Sequence, residues 1–418
     1  MMRKNRINST LIFKGGNSMM GKDKCYWNRG VRFGLGTVLA LCLAFICWGT
    51  PANAEDVVKI GAFYPLSGGV AEAASWVVEG IKLAEEEINA KGGISIQGKK
   101  MKIKVILYDD KCDPTTAVTA VEKLINRDKV VALSGGYCSS CTLAAREVSD
   151  PQKILLLNSI SVHPKITSPG YPYTFRLGNT IDMYAKPYVD FVVKNLPHVK
   201  SVAIIAITDD YGRGAVDIYT KLFPENGVKI ATVEYFKHGD TDFYTQITKL
   251  VSKKPDATYI VTDEDAQNIG ILKQLRELGF KGEIFGCSTY ATDHMVELGG
   301  KKLLEGIYME GISFELHKDE PDLQAWMKRY KNKFGREGNG FSLGGYYNIE
   351  LLAYVLEKAN TLTEGQKILE AINNADLNKC ITGFYGKPHF DENGQARPFL
   401  GALQYQDGKR VPVYHEKL

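Results

Sequence analysis

The chain has 418 residues, 44% of them hydrophobic, with 52 Lys and Arg against 48 Asp and Glu for a formal net charge of +4. That length suits two domains of ordinary size, each able to bury its own core. Eight of the basic residues fall within positions 1–54 beside one acid, Asp23, so the remainder carries 44 basic against 47 acidic residues and lacks the basic stripe or aromatic-basic interleaving of a nucleic-acid binder.

The first element is an address. A basic stretch, the apolar run Phe33 to Trp48 and the small residues Ala52-Asn53-Ala54 read as a cleavable secretory signal peptide over residues 1–54, so export is expected. The run is too short to favour a membrane-spanning helix. Met19 or Met20 is a more ordinary start than Met1, and a lipid anchor is disfavoured because Cys42 and Cys47 follow Leu41 and Ile46.

Val57 to Tyr64 reads as a buried strand, and Val77, Ile81, Ala84 and Ile88 recur at helical spacing before Lys91-Gly92-Gly93 stops the helix. The alternation continues with Met101 to Tyr108 as strand, Pro114 to Asn126 as helix capped by Asp113, Val130 to Ser134 as strand, Cys141 to Ser149 as helix and Ile154 to Leu157 as strand. After Gly178 a second unit starts: helix Met183 to Leu196, strand Val202 to Ile207, helix Gly214 to Phe223, then runs at 229–236, 242–251, 257–261, 266–278 and 283–285. From about Gly311 the pattern turns helical, at Leu323 to Phe334 and Tyr346 to Asn360, and closes with a hairpin-like pair, Gly383 to Phe390 and Leu400 to Gln404, around Asn393-Gly394. Such alternation predicts an α/β fold of doubly wound parallel sheets.

Five cysteines follow the leader: Cys112, Cys138, Cys141, Cys287 and Cys380. Cys112 and Cys138 each follow an apolar strand run, so adjacent parallel strands bring them to one sheet edge as a disulfide permitted by export. Cys138-x-x-Cys141 is the alternative redox pairing. Four ligands at zinc spacing are lacking, and no metal or cofactor is expected.

Parallel sheets bind ligands beyond the carboxyl ends of their strands. The loops there hold hydroxyls and aromatics: Ser139 and Ser161, which otherwise cap helices, and Tyr64, Trp76, Tyr211 and Phe341, which otherwise fill core. The turn at 135–140 leads into a helix whose free N–H groups suit a carboxylate. Asp263, Glu264 and Asp265 could hold an ammonium or could simply start a helix. Gly212-Arg213-Gly214 begins a dinucleotide-like pattern that Asp217 breaks, and no phosphate loop, zinc-protease helix or nucleophile elbow occurs. The histidines are scattered, so catalysis is not expected.

Ile60-Gly61 through Pro65-Leu66-Ser67-Gly68, Glu86 to Ile94, Tyr108-Asp109-Asp110 with Cys112-Asp113-Pro114, and Cys138-Ser139-Ser140 together resemble the leucine/isoleucine/valine-binding group of type I periplasmic substrate-binding proteins, over nearly all the chain after the leader. The resemblance implies two doubly wound lobes joined by a three-segment hinge, with residues 55–177 and 312–396 in lobe I and 178–311 and 397–418 in lobe II. It also implies a Cys112–Cys138 disulfide, Ser139 receiving a ligand carboxylate, cleft positions for Tyr211 and Phe341, and a monomer that delivers a small-molecule ligand to an inner-membrane permease of the ATP-binding cassette type. In Ser159-Ile160-Ser161-Val162, Val162 lacks the hydroxyl found in branched-chain binders, and at Ser288-Thr289 Ser288 stands where the family has a carboxylate. Either one of the acids at 263–265 takes over the ammonium, or the ligand is an aromatic or other small carboxylate lodged among Trp76, Tyr137, Tyr290 and Phe341. The expected ligand set therefore comprises Tyr64, Trp76, Tyr137, Ser139, Ser140, Ile160, Ser161, Val162, Tyr211, Asp263, Glu264, Ser288, Thr289 and Phe341. A ligand-sensing regulator is the alternative use of such a fold.

Overall fold

In the computed structural model of the protein, residues 57–290, 293–311, 313–380 and 385–415 are described; the leader lies outside them. The strands Val57–Tyr64, Ala132–Gly135 and Leu155–Asn158 are almost wholly buried, as central strands covered on both faces must be. β1 (Val57–Tyr64), β3 (Lys99–Asp109), β4 (Ala132–Gly135), β5 (Leu155–Asn158) and β6 (Thr174–Arg176) form a sheet in the order β3-β1-β4-β5-β6, all parallel, with the short β2 (Ile94–Ile96) pairing antiparallel to β3 at the edge. A two-residue turn, Gln97-Gly98, joins β2 to β3 with both residues at positive φ, which is why glycine occupies its second position.

The second sheet runs β15 (Lys409–His415), β14 (Gly401–Gln406), β11 (Tyr308–Gly311), β10 (Glu283–Gly286), β9 (Ala257–Val261), β7 (Ser201–Ile207), β8 (Lys229–Phe236). Five of these strands are parallel, and β14 and β15 close one side antiparallel. Each sheet has its own apolar core. Residues 58–177 and 314–396 build one, and residues 181–309 and 400–405 the other. The chain therefore passes between cores three times, at 177–181, 309–314 and 396–400.

Helix α1 (Ala71–Ala90) covers the first sheet, followed by α2 (Pro114–Glu122) and α3 (Ser139–Ser149). Helices α4 (Ile181–Asn195), α5 (Asp210–Glu225), α6 (Tyr244–Ser252) and α7 (Asp265–Glu277) cover the second; α8 (Pro321–Phe334) and α9 (Gly340–Ala359) then return to the first core. The expected helix starting near Tyr346 begins six residues earlier. Asn339 accepts from the Ser342 N–H at 3.0 Å while Ser342 Oγ accepts from the Asn339 N–H at 2.8 Å, a reciprocal cap. The expected closing hairpin is also redrawn. Tyr385–Lys387 (β12) pairs with Arg397–Pro398 (β13), whereas Leu400 to Gln404 crosses to the second core, where β14 pairs with β11 and β15.

α1 and α9 meet at backbone contact. A Cβ on Gly80 would fall 1.8 Å from the Ser342 carbonyl oxygen, and one on Gly345 would fall 2.1 Å from the Val77 carbonyl oxygen. Each glycine thus receives the other helix's backbone. Gly80→Ala should force the helices apart and cost about 3 kcal/mol, at the upper end of ordinary overpacking; an unchanged urea midpoint would show that this approach is not tight in solution.

Candidate functional site

Both sheets reverse their winding direction beside the same cleft. In the first, the order β3-β1-β4 puts the switch between β1 and β4; in the second, β9-β7-β8 puts it between β9 and β7. Loops leaving the strand ends at such points diverge and leave a crevice. Here the crevice holds a small cavity of about 30 Å³ walled by Tyr137, Cys138 and Ser139 after β4, Ile160 to Val162 after β5, Tyr211 after β7, Asp263 after β9, Ser288 and Thr289 after β10, and Phe341 at the start of α9.

The first-sheet side is built on the start of α3. Cys138 is its N-cap residue but offers no side-chain cap, because its sulfur is joined to Cys112 in a disulfide with Cα atoms 5.6 Å apart. The first turn therefore has no capping side chain, and Cys138 and Ser139 at its start line the cavity. Ser139 Oγ accepts from the His163 N–H at 3.4 Å, and the Ser161 hydroxyl is used internally. It pairs with Thr142 Oγ1 at 2.6 Å, reaches the Gly136 and Tyr137 carbonyls at 2.9 and 3.0 Å, and so braces the turn before α3. Phe341 sets its ring 5.8 Å from that of Tyr137.

On the opposite wall the three consecutive acids separate. Asp263 is 5% exposed and lines the cavity; its Oδ2 lies 3.9 Å from Cys138 Sγ, and its Oδ1 is buried without a hydrogen-bond partner. Burial raises its carboxyl to about 7, against the opposing charge of His238, whose Nδ1 lies 3.7 Å from Oδ1. Glu264 instead accepts from His238 Nδ1 at 2.9 Å, and Asp265 pairs with His294 Nδ1 at 2.7 Å. Burial works against a charged His238, yet its bonds to Asp209 and Glu264 lift it to about 10, so the ring is an imidazolium at neutral pH. Cys112, His238 and Asp263 present ligand-type atoms within 4.8 Å of one another, but the Cys112 sulfur is already in the disulfide.

Ten of the fourteen expected ligand residues thus line one cavity, and four stand elsewhere. Tyr64 is fully buried, its hydroxyl 3.0 Å from Ser134 Oγ and 3.3 Å from Asn348 Nδ2, as a core tyrosine satisfied in place. Trp76 stacks on Tyr330 at 6.4 Å and carries the Arg336 guanidinium 3.5 Å above its ring, away from the cavity. Ser140 follows Ser139 on α3 but does not reach the cavity wall. The Glu264 carboxylate is held by His238 and lies against Gly69 of the β1 loop, where a Cβ would fall 2.5 Å from its Cδ. The Thr289 hydroxyl, although at the wall, donates to the Thr262 carbonyl at 2.8 Å.

One residue had no signal in the sequence. Glu310, fully buried in β11, receives hydrogen bonds from the Tyr219 and Tyr259 hydroxyls and, at 3.0 Å, from the Ser288 N–H, fixing the loop that carries Ser288. Burial raises it to about 8, against those three donors. A carboxyl raised from 4.5 favours the folded state most at low pH, and that contribution is lost as pH climbs from 4.5 through about 8. The unfolding midpoint of Glu310→Gln should therefore decline less across that window than that of the parent; parallel pH profiles would show that Glu310 is already ionised.

Two cores, three crossings and a cleft lined from both sides define a two-lobed protein that encloses a small solute. Residues 57–409 match the family described as "Periplasmic binding protein", and the chain belongs to that family, whose members are transport receptors and not enzymes. An "Amino acid binding protein" of Pseudomonas aeruginosa is 28% identical over 362 residues, covering 86% of this chain and 92% of its own. A "Leucine-, isoleucine-, valine-, threonine-, and alanine-binding protein" of the same organism is 26% identical over 362 residues, covering 86% and 93%. The crystal structure of a leucine-binding protein, LivK, of Thermotoga maritima superposes with a TM-score of 0.76 at 26% identity, covering 86% of this chain and 98% of that one. Among the described residues, no helix is long and apolar enough to cross a membrane.

Proposed function

We propose that this protein is a periplasmic receptor that traps an α-amino acid between its lobes and delivers it to an inner-membrane permease of the ATP-binding cassette type. The observation that carries this reading is Asp263, a buried carboxylate with one oxygen lacking a hydrogen bond, facing the same small cavity as Ser139 and the start of α3. A buried ammonium needs an acidic partner, and a ligand carboxylate needs donors. The two walls supply one each. Asp263 takes over the role left vacant at Ser288, and the helix start with Ser139 receives the carboxylate. Since the acid stands on one lobe and the donors on the other, a zwitterion bridges them and favours the closed form by its differential contacts. The named relatives, an amino acid binder and a leucine, isoleucine, valine, threonine and alanine binder, support the same ligand class. The crossings at 177–181, 309–314 and 396–400 act as the hinge, and residues 1–54 as the export signal.

Two tests follow, using protein freed of carried-over ligand by unfolding and refolding. Asp263→Asn should weaken amino-acid binding by more than about 100-fold, the scale of losing one partner of a buried ion pair, with the thermal midpoint of the unliganded protein retained; undiminished affinity would remove Asp263 from the site. The pH dependence distinguishes the ligand classes by sign. With Asp263 at about 7, an ammonium ligand binds the ionised form, so calorimetry should show affinity falling roughly tenfold between pH 8 and pH 6. A carboxylate without an amino group prefers the protonated aspartic acid, and its affinity should rise over the same interval. A rise with amino acids would overturn the reading.

A further inference from the structure

The lobes also meet outside the ligand cavity. Gly69, on the exposed loop between β1 and α1, belongs to the first lobe, and Glu264, between β9 and α7, belongs to the second. Neither lines the cavity. The backbone of Gly69 is not in the left-handed region, so conformational freedom is not what glycine supplies there. It supplies room: a Cβ would fall 2.5 Å from Glu264 Cδ and 2.6 and 2.7 Å from the two carboxylate oxygens. The carboxylate is held against stepping aside. It is 5% exposed, and its Oε1 accepts from His238 Nδ1 at 2.9 Å and from the Gly239 N–H at 3.3 Å.

We infer that Gly69 and Glu264 form the stop at which the closing lobes come to rest, and that Glu264 is a positioning residue, fixing how near Asp263 comes to Ser139 without itself touching the ligand. This rests on the two-lobe capture proposed above, whatever the class of ligand. Glu264 follows Asp263 directly in the chain, so a group that holds the one away from the first lobe holds the other away too. Two carbons in ordinary contact stand about 3.5 Å apart, so a methyl group at position 69 separates the walls by about 1 Å. Hydrogen bonds weaken over such a distance, and a ligand that spans both walls loses its hold on one of them. The open form lacks the contact, so its stability and its encounter with ligand do not depend on it, and the effect falls on release.

The experiment is a calorimetric and stopped-flow titration with L-leucine of four ligand-free proteins: the parent, Gly69→Ala, Glu264→Ala and the double variant. Gly69→Ala should lower affinity more than tenfold through faster dissociation, with the association rate and the thermal midpoint of the ligand-free protein unchanged. In the Glu264→Ala background the same substitution should cost less than threefold, because the group it strikes is gone. Unchanged affinity in Gly69→Ala, or an equal loss in both backgrounds, would overturn the inference and leave the amino-acid reading standing. Independently of any ligand, the Gly69→Cys/Glu264→Cys protein should form, on mild oxidation, a disulfide that neither single variant forms; its absence would also overturn the inference. If the parent binds neither L-leucine nor any other α-amino acid, the amino-acid reading falls, and the cross-link decides the lobe contact by itself.

Discussion

Arg176 is fully buried at the end of β6, and its donors go to uncharged oxygens. Nε meets Gln395 Oε1 at 2.6 Å, Nη1 meets the carbonyls of Ser161 and His163 at 3.1 and 2.9 Å, and Nη2 meets Thr167 Oγ1 at 2.8 Å. Burial lowers the guanidinium to about 9, which leaves it charged at neutral pH. Removing such a cation from water is costly unless its donors are met, so the groups that meet it are constrained in turn. Two of them are backbone carbonyls of the loop that forms the cleft wall. The Gln395 amide also donates to the carbonyls of Gly178 and Ala396, at two of the three crossings. One buried charge thereby sets one wall of the interlobe cavity and its attachment to the connections between lobes.

The acids on the facing lobe show how neighbouring residues of the same chemistry acquire different work. Asp263, Glu264 and Asp265 are consecutive, but strand-end and helix-start geometry sends the first into the cavity, the second to His238 and the third to His294. His238 in charged form offsets the repulsion among Asp209, Glu264 and Asp263, allowing three carboxylates to sit together beside the cleft. Its compensation of Asp263 is incomplete, since 3.7 Å is beyond hydrogen-bond reach. The residual demand for a donor falls on whatever enters the cavity.

Much of this arrangement was legible in the residue pattern. Continuous apolar runs of strand length identified the parallel strands, and the rule that ligands bind beyond strand ends selected the loops that meet at the cleft. Tyr64 and Trp76 escaped because an aromatic at a strand end or on a helix has one face toward core and another toward a groove, and spacing alone does not choose between them. Ser161 and Thr289 were placed at the wall, but which hydroxyls were already engaged depends on contacts such as Thr142 to Ser161 that only the folded chain makes. The glycine-rich start of α9 masked its helical character, although Asn339 and Ser342 carried the capping pattern. Glu310 was illegible for a simpler reason: two of its donors, Tyr219 and Tyr259, lie 91 and 51 residues away in sequence.

The close approach of α1 and α9 at Gly80 and Gly345 bears on the order in which the molecule assembles. The first core needs α9, yet its partner α1 is made some 260 residues earlier, and most of the second core, though not its closing strands β14 and β15, is synthesised in between. A chain emerging amino end first can assemble most of its second lobe before α9 reaches its first. Until α9 is available the face of α1 that receives it lacks its native partner, because a contact so distant in sequence brings no stabilisation until the intervening loop has closed. Topology alone delays the first domain's collapse into its native core, a form of timing written into chain connectivity.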